Sequence, residues 1–370
     1  MRALAVIAVF FSHKAPNWAG DSGHFGVELF FALSGFLIVG ILNRERLAIE
    51  AKRKSVGGAL RTFLFRRTLR IFPIYYLTLT VLALLAFLDI STIDWNPVGH
   101  IFHIFYLSNV WIDFIQKSFI GAYSHLWSLS IEEQFYLLAA PLLLFAPPRM
   151  HIAICAIVVG VGLATHGAIL AAGRTDLSYV DFGSIGLGGV AALVCKQDKW
   201  RLGGDAFLAI AIGSFGMTWA ALFIAHGWLT QVLTSSVPIM AVLIVVLVYT
   251  SQSGLIVAAL EWKPLVHLGR ISYGFYLYHN FIGFTLFGNP DFFHQSATVL
   301  LEFLVVIIVA ELSWYLIERP LISLAKARND IRRAEPRYYF IDRRSAVGRA
   351  AITTARMPTA VTAGAITDAE

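Results

Sequence analysis

Apolar residues come in long blocks along this chain, separated by short polar joints. Ten blocks stand near residues 3–13, 25–42, 71–88, 125–146, 152–172, 180–195, 206–225, 236–255, 271–289 and 297–317. Each is rich in Leu, Ile, Val, Phe and Ala, and several contain Gly, which membrane helices tolerate. The alternation over about ten residues that marks a transmembrane β-barrel does not occur. The pattern predicts an all-α, polytopic membrane protein with about ten transmembrane helices. The stretch from Ile101 to Gln116 is aromatic but interrupted by His103, Ser108, Asn109 and Asp113. It reads as an interfacial or re-entrant helix. Glycines such as Gly183 and Gly189 are expected to let helices pack closely.

Composition agrees. Of 370 residues, 58% are hydrophobic and 14% charged, against about 45–50% and about 25% in soluble domains. A soluble enzyme, a disordered chain and a secreted disulfide scaffold are excluded. Cys155 and Cys195 both lie in apolar runs, so they imply no disulfide framework. The net charge of +6 would suit nucleic acid, but the placement of the charge argues otherwise. When the ends of the ten blocks are assigned alternately to the two sides, 26 of the 29 Lys and Arg fall on the side of Arg2. The remainder are Lys14, Lys117 and Arg174. This is the positive-inside signature, so both termini are expected in the cytoplasm and no nucleic-acid partner is needed.

The first block is short for a span, which a late start or a few residues missing before Met1 would explain. A signal peptide is the alternative, but no small-x-small cleavage site follows the run. From Ile322 to Glu370 the apolar pattern is lost. The domain plan is therefore a membrane-embedded unit over 1–321 and a basic, mobile cytoplasmic tail over 322–370. Arg332, Arg333, Arg343 and Arg344 of that tail would attract anionic membrane lipids.

Ionisable groups at membrane depth are costly and face a bundle interior or a wet cavity. His13 lies eleven residues beyond Arg2, about 16 Å along a helix. Glu132 lies eight residues into its block, about 12 Å. If the two helices enter from opposite sides, these groups come to similar depth in the outer half of a hydrocarbon layer about 30 Å thick. A histidine beside a carboxylate is a base with its orienter; a plain structural hydrogen bond between helices fits the spacing equally well. Glu132 and Glu133 are one helical step apart, so at most one faces a given partner. Arg66, Arg67 and Arg70 precede the third block. Arg67 and Arg70 share a helix face, which suits a phosphate, although position alone reads first as positive-inside anchoring. Glu28 is placed near the outer end of its block, where it would line a mouth or simply be exposed at the interface. His279, among aromatics in Tyr276-Leu-Tyr-His-Asn280, reads as a satisfied structural histidine. Glu302 and Glu311 are expected to pair with polar groups on neighbouring helices. No Walker loop, H-E-x-x-H, G-x-S-x-G or metal-ligand cluster is present in the sequence.

At these residues the sequence resembles the acyltransferase-3 family of integral membrane acyltransferases, over residues 2 to about 320. The resemblance is carried by Arg2-Ala-Leu-Ala-Val-Ile-Ala-Val-Phe-Phe-Ser-His13, Gly26-Val-Glu-Leu-Phe-Phe-Ala-Leu-Ser-Gly-Phe36 and Arg67-Thr-Leu-Arg70. It continues in Leu126-Trp-Ser-Leu-Ser-Ile-Glu-Glu-Gln-Phe-Tyr136, in Leu268-Gly-Arg-Ile-Ser-Tyr273 through His279, and in Tyr315-Leu-Ile-Glu-Arg-Pro320. The Asp-Gly-Leu usual before the first Arg is absent, Glu28 stands where Asp is frequent, and the extracytoplasmic hydrolase-like domain of some members is not in this chain.

The resemblance implies transfer of an acyl group, commonly acetyl, from cytoplasmic acyl-CoA to a hydroxyl of a cell-surface glycan or related acceptor. The expected location is the bacterial cytoplasmic (inner) membrane. Acyl-CoA is a co-substrate, and no permanently bound cofactor or metal is expected. The resemblance makes His13 the catalytic histidine and gives Arg67 and Arg70 function. With Arg2 they would hold the phosphates of coenzyme A. Glu132 would orient and charge-balance His13, and Glu28 and Trp127 are assigned to the acceptor. His13 would act either as general base or as a transient acyl carrier; the sequence leaves both routes open. The competing reading is a transporter or flippase for a glycan or lipid, which intramembrane carboxylates and histidines also suit. No internal repeat supports it.

Overall fold

The computed structural model describes residues 1–19, 22–89, 95–117, 122–171, 182–195, 213, 228–251, 254–287 and 296–324. Among them no strand occurs. The helices are α1 (Arg2–Lys14), α2 (Pro16–Ala19), α3 (Ser22–Glu50), α4 (Val56–Phe87), α5 (Pro97–Ile104), α6 (Ser108–Val110), α7 (Leu126–Phe145), α8 (His151–Ala171) and α9 (Phe182–Val194). They continue as α10 (Trp228–Thr250), α11 (Leu255–Leu260), α12 (Lys263–Phe287) and α13 (Ser296–Ser313). A wider π-type turn extends α6 over Trp111–Gln116, and another extends α13 over Trp314–Glu318.

The expected apolar blocks that fall on described residues are all helical; the block at 206–225 lies almost wholly outside them, as does the tail beyond 324. Four helices among the described residues are long and apolar enough to cross a membrane: Ser22–Glu50, Val56–Phe87, Pro148–Thr165 and Thr298–Leu324. The other blocks form shorter or more polar helices, so the described residues do not add up to ten spans. The first is the plainest case. Its 13 residues make a rod of about 20 Å, short of a layer about 30 Å thick. The chain is an integral membrane protein, and its outer surface fits that solvent. Leu137, Leu138 and Leu142 of α7 are exposed, as are Ile157, Val161 and Leu163 of α8 and Leu300, Leu304 and Ile308 of α13. In water such faces would associate; in lipid they cost nothing.

Local chemistry sets the ends of several elements. Ser55 caps α4 by accepting from the Gly58 amide at 3.1 Å. Asn96 caps α5 by accepting from the amides of Val98 and Gly99, with Pro97 opening the helix. The segment expected to be interfacial or re-entrant is a broken helix. Tyr106 adopts φ 54° between α5 and α6, and Lys117 adopts φ 55° where the π turn ends. The break is fastened from outside. The Tyr75 hydroxyl of α4 donates to the His103 carbonyl at 2.8 Å, and the Gln134 amide of α7 donates to the Tyr106 carbonyl at 2.8 Å. The His103 carbonyl also accepts from the Tyr106 amide, so side chains of α4 and α7 add to the turn's own bonds at the break.

Helix α3 is the centre of the packing, touching α1, α7, α9 and α10. Its contact with α9 is backbone against backbone. A Cβ on Gly35 would collide with the Ile185 carbonyl, and one on Gly188 with the Ala32 carbonyl. Gly189 also lets α9 close in, since a Cβ there would meet Val39 Cγ2 at 2.8 Å. Gly183 does not: the nearest atom to an added Cβ is 4.0 Å away. On the other side of α1, Phe10, Phe275 and Phe303 form a three-ring cluster with centroids 5.1 to 5.8 Å apart, tying α1 to α12 and α13.

Candidate functional site

The start of α1, the middle of α3, the first half of α4, the start of α7 and the middle of α12 enclose a cavity with about 600 Å³ of empty space, its open mouth included. Three guanidiniums line it: Arg2, Arg67 and Arg70. The one helical turn between Arg67 and Arg70 puts both on the inward face of α4, while Arg66 is exposed. The Arg67 guanidinium lies 5.0 Å from the Tyr136 ring centroid and 5.9 Å from that of Phe63. Aromatic faces therefore hold it without using its N–H donors. Among the described residues, none of the three arginines has a carboxylate within ion-pair distance or a hydrogen-bond partner.

Among the described lining residues Glu132 is the one carboxylate. It is held by neutral donors. Ser34 Oγ of α3 donates to Oε1 at 2.6 Å and the Tyr136 hydroxyl donates to Oε2 at 3.0 Å. Tyr136 also donates to Ser34 Oγ at 3.2 Å, closing a three-member ring of side chains. With both oxygens engaged, Glu132 is a fixed negative point opposite three positive ones. Glu133, one step on, points elsewhere and is buried, as the 100° helical step requires.

Ser128 and Tyr276 line the cavity from α7 and α12. The Ser128 hydroxyl and the Tyr276 hydroxyl are 2.5 Å apart, and Tyr276 donates to the His125 carbonyl at 3.2 Å. Beside Tyr276, and outside the described cavity lining, three imidazoles cluster. His13 Nδ1 is 2.9 Å from His279 Nε2. His279 Nδ1 donates to the Tyr276 carbonyl at 2.5 Å. His125 sets its two nitrogens 3.0 and 3.1 Å from the carbonyls of Ala122 and Leu277. His279 and His125 are buried, whereas His13 is exposed.

The expected pair of His13 with Glu132 is therefore not a hydrogen-bonded one. Glu132 shares a cavity with Arg2, and His13 stands eleven residues further along α1, about 16 Å. Ser34 and Tyr136 take up the carboxylate, and His279 takes up Nδ1 of His13. Glu28 departs from expectation as well. It is 1% exposed and accepts a very short hydrogen bond from Ser184 Oγ of α9, with His24 Nε2 3.8 Å away. It neither lines the cavity nor sits at an interface, because the close α3–α9 approach buries it. Trp127 packs edge-on to Phe31, with centroids 5.9 Å apart, behind the lining rather than in it. Glu302 and Glu311 find partners as expected: Lys14 lies 2.7 Å from Glu302 in a fully buried pair, and His267 contacts Glu311.

Sequence reasoning did not single out Ser34, Tyr136, His125 or Tyr276 for the site. Tyr136 had a signal, since it lies four residues after Glu132 on the same helix face. Ser34 had none, because its contact depends on how α3 packs on α7. Among the described residues no group of three or more His, Cys, Asp or Glu side chains is placed to hold a metal ion.

Comparison with known proteins bears on this geometry. An acyltransferase domain family matches residues 1–319. The peptidoglycan O-acetyltransferase OatA of Listeria monocytogenes is 32% identical over 355 residues, covering 87% of this chain and 54% of that protein. The O-acetyltransferase OatA of Staphylococcus aureus is 29% identical over 351 residues, covering 87% and 56%. The chain thus spans about half the length of the curated relatives it matches. No solved structure matches it. With Arg2, Arg67, Arg70, Glu132 and His13 all inside the matched span, the chain belongs to the acyltransferase domain family.

Proposed function

We propose that this protein is a membrane O-acyltransferase that moves an acetyl group from cytoplasmic acetyl-CoA to a hydroxyl of a cell-surface glycan. The relatives' names point to peptidoglycan as the first acceptor to test. The proposal includes the bacterial cytoplasmic membrane as location, both termini in the cytoplasm, an acyltransferase unit over 1–321 and a basic tail over 322–370.

The observation that carries the reading is the convergence of Arg2, Arg67 and Arg70, none of which has a carboxylate within ion-pair distance among the described residues. Partly buried guanidiniums left unpaired are costly, and phosphate oxygens are their natural complement. Coenzyme A carries such phosphates, with a thioester at the end of an extended arm. The phosphates would sit on the arginines and the arm would reach past Ser128 and Tyr276 toward His13. Glu132 would limit the net positive charge and hold Ser34 and Tyr136 in place.

In the direct route, His13 takes the acceptor's hydroxyl proton as its oxygen attacks the thioester carbonyl. A C–O bond forms, the C–S bond breaks, and the proton passes to the departing thiolate. The products are an ester and free CoA. In the acyl-carrier route the His13 nitrogen attacks the thioester carbonyl, a C–N bond forms, and the C–S bond breaks with CoA leaving as thiolate. The acceptor oxygen then attacks the acyl carbon, the C–N bond breaks, and the hydroxyl proton passes to the thiolate, giving the same ester and free CoA.

The test is release of free CoA from acetyl-CoA by the purified protein with a glycan acceptor. Wild type should release CoA with matching ester formation, and His13→Ala should not. Release by His13→Ala at near wild-type rate would remove His13 from the mechanism. A wild-type protein that neither binds nor cleaves acetyl-CoA would overturn the function.

A further inference from the structure

We infer that His279 is the positioning residue that fixes the tautomer of His13, the part the sequence reading gave to Glu132. The inference uses the proposed role of His13 but is read from side-chain geometry that does not depend on acyl transfer.

The hydrogen bonds can be followed in one direction. The Tyr276 carbonyl can only accept, so His279 Nδ1 carries a hydrogen. In neutral His279 the lone pair is then on Nε2. That nitrogen is 2.9 Å from His13 Nδ1, so His13 donates from Nδ1. The lone pair of His13 is left on Nε2, where a general base or acyl-accepting nucleophile needs it.

The ring geometry supports a true in-plane bond. The centroids are 5.1 Å apart and the planes differ by 17°. With the nitrogens only 2.9 Å apart, the two rings meet edge to edge and nearly coplanar, so the N–H and the lone pair point at each other. His279 is 1% exposed and His13 is exposed. One imidazole is thus anchored in the bundle and the other presents its far edge outward.

The surroundings favour the neutral relay. The groups facing the pair are His125 from α7, whose ring centroid is 4.9 Å from that of His279, and Lys14 from α1, paired with Glu302 of α13. Among the described residues no carboxylate forms an ion pair with His13 or His279. A proton added to His279 Nε2 would reverse the bond and move the lone pair of His13 to Nδ1, where it is spent on His279. An imidazole that only filled space would not require this direction.

The experiment is ¹⁵N NMR of protein labelled at histidine nitrogens, which distinguishes protonated from unprotonated ring nitrogens. The His13 signals are assigned by their loss in His13→Gln. Wild type should show His13 protonated at Nδ1 and bare at Nε2. In His279→Phe, which keeps the ring volume and removes the acceptor, this preference should be lost. The same variant should lower kcat by about 10²-fold, the low end of general-base effects, with unchanged acetyl-CoA affinity. His279→Gln, whose amide oxygen can accept from Nδ1, should recover kcat to within about tenfold of wild type, and it serves if the Phe variant does not fold. His13 protonated at Nε2 in wild type, or the same His13 tautomer in His279→Phe, would overturn the inference. If the tautomer behaves as stated but no acyl transfer is found, the positioning role stands and the proposed function fails.

Discussion

The arginine cavity and the histidine cluster are built on the same helices but by opposite rules. The cavity collects like charges: Arg2, Arg67 and Arg70 face one another with Glu132 as the one carboxylate among the described lining residues, while Glu318 outside the lining also acts on Arg70. The cluster of His13, His125 and His279 is instead a set of directed hydrogen bonds among imidazoles and carbonyls. The first is the proposed place for an external anion, because among the described residues none of its guanidiniums has a carboxylate within ion-pair distance. In the second, every ring nitrogen except the outer one of His13 faces a partner atom within the protein. Tyr276 links them, giving its hydroxyl to the cavity side and its carbonyl to His279. If the arginines bind and His13 does the chemistry, as proposed, the two functions are separable and variants should separate them.

The largest effect is expected at His13. His13→Ala should lower acyl transfer by at least about 10²–10⁴-fold, the span of general acid–base contributions, while acetyl-CoA affinity changes little. Rate measurements beside a binding titration check both halves; a parallel loss of affinity would merge the two regions. Arg67→Ala should weaken acetyl-CoA binding by about 10- to 100-fold, as for loss of charge-assisted hydrogen bonds, and should leave the His13 ¹⁵N signals in place.

Gly35→Ala tests the scaffold beneath both regions. The new Cβ would run into the Ile185 carbonyl, and overpacking of this kind costs about 1–3 kcal/mol. Thermal unfolding in detergent should show the loss, and an unchanged midpoint would mean that α3 and α9 are not held this closely. The smallest effect is expected for Glu132→Gln. Removing the counterweight should leave acetyl-CoA binding as tight or tighter, by no more than about fivefold for a partly exposed charge, with the His13 tautomer unchanged. A change of tautomer in that variant would restore Glu132 as the orienter of His13.

The sequence foretold the helices well because lipid solvation leaves a plain mark: long apolar blocks with charges at their ends. It foretold the Arg67–Arg70 face because three-residue spacing on a helix is local. Which carboxylate meets which histidine is not local. Depth counted along two helices assumed that both begin at the membrane surface. In the structure Glu132 lines the same cavity as Arg2, while His13 stands at the other end of α1. Glu28 likewise looked like a residue of a mouth or an interface by its place in its block, and it is buried because Gly35 and Gly188 bring α9 against α3. His279 looked structural because nothing in Tyr-Leu-Tyr-His-Asn reveals that its free nitrogen faces another helix.

The central claim is that the three convergent arginines hold the phosphates of an acyl-CoA. Calorimetric titration of acetyl-CoA into the purified wild-type protein and into Arg70→Ala tests it most directly. The account predicts saturable binding to wild type and an affinity at least about tenfold weaker in the variant; equal affinity for the two proteins would contradict it.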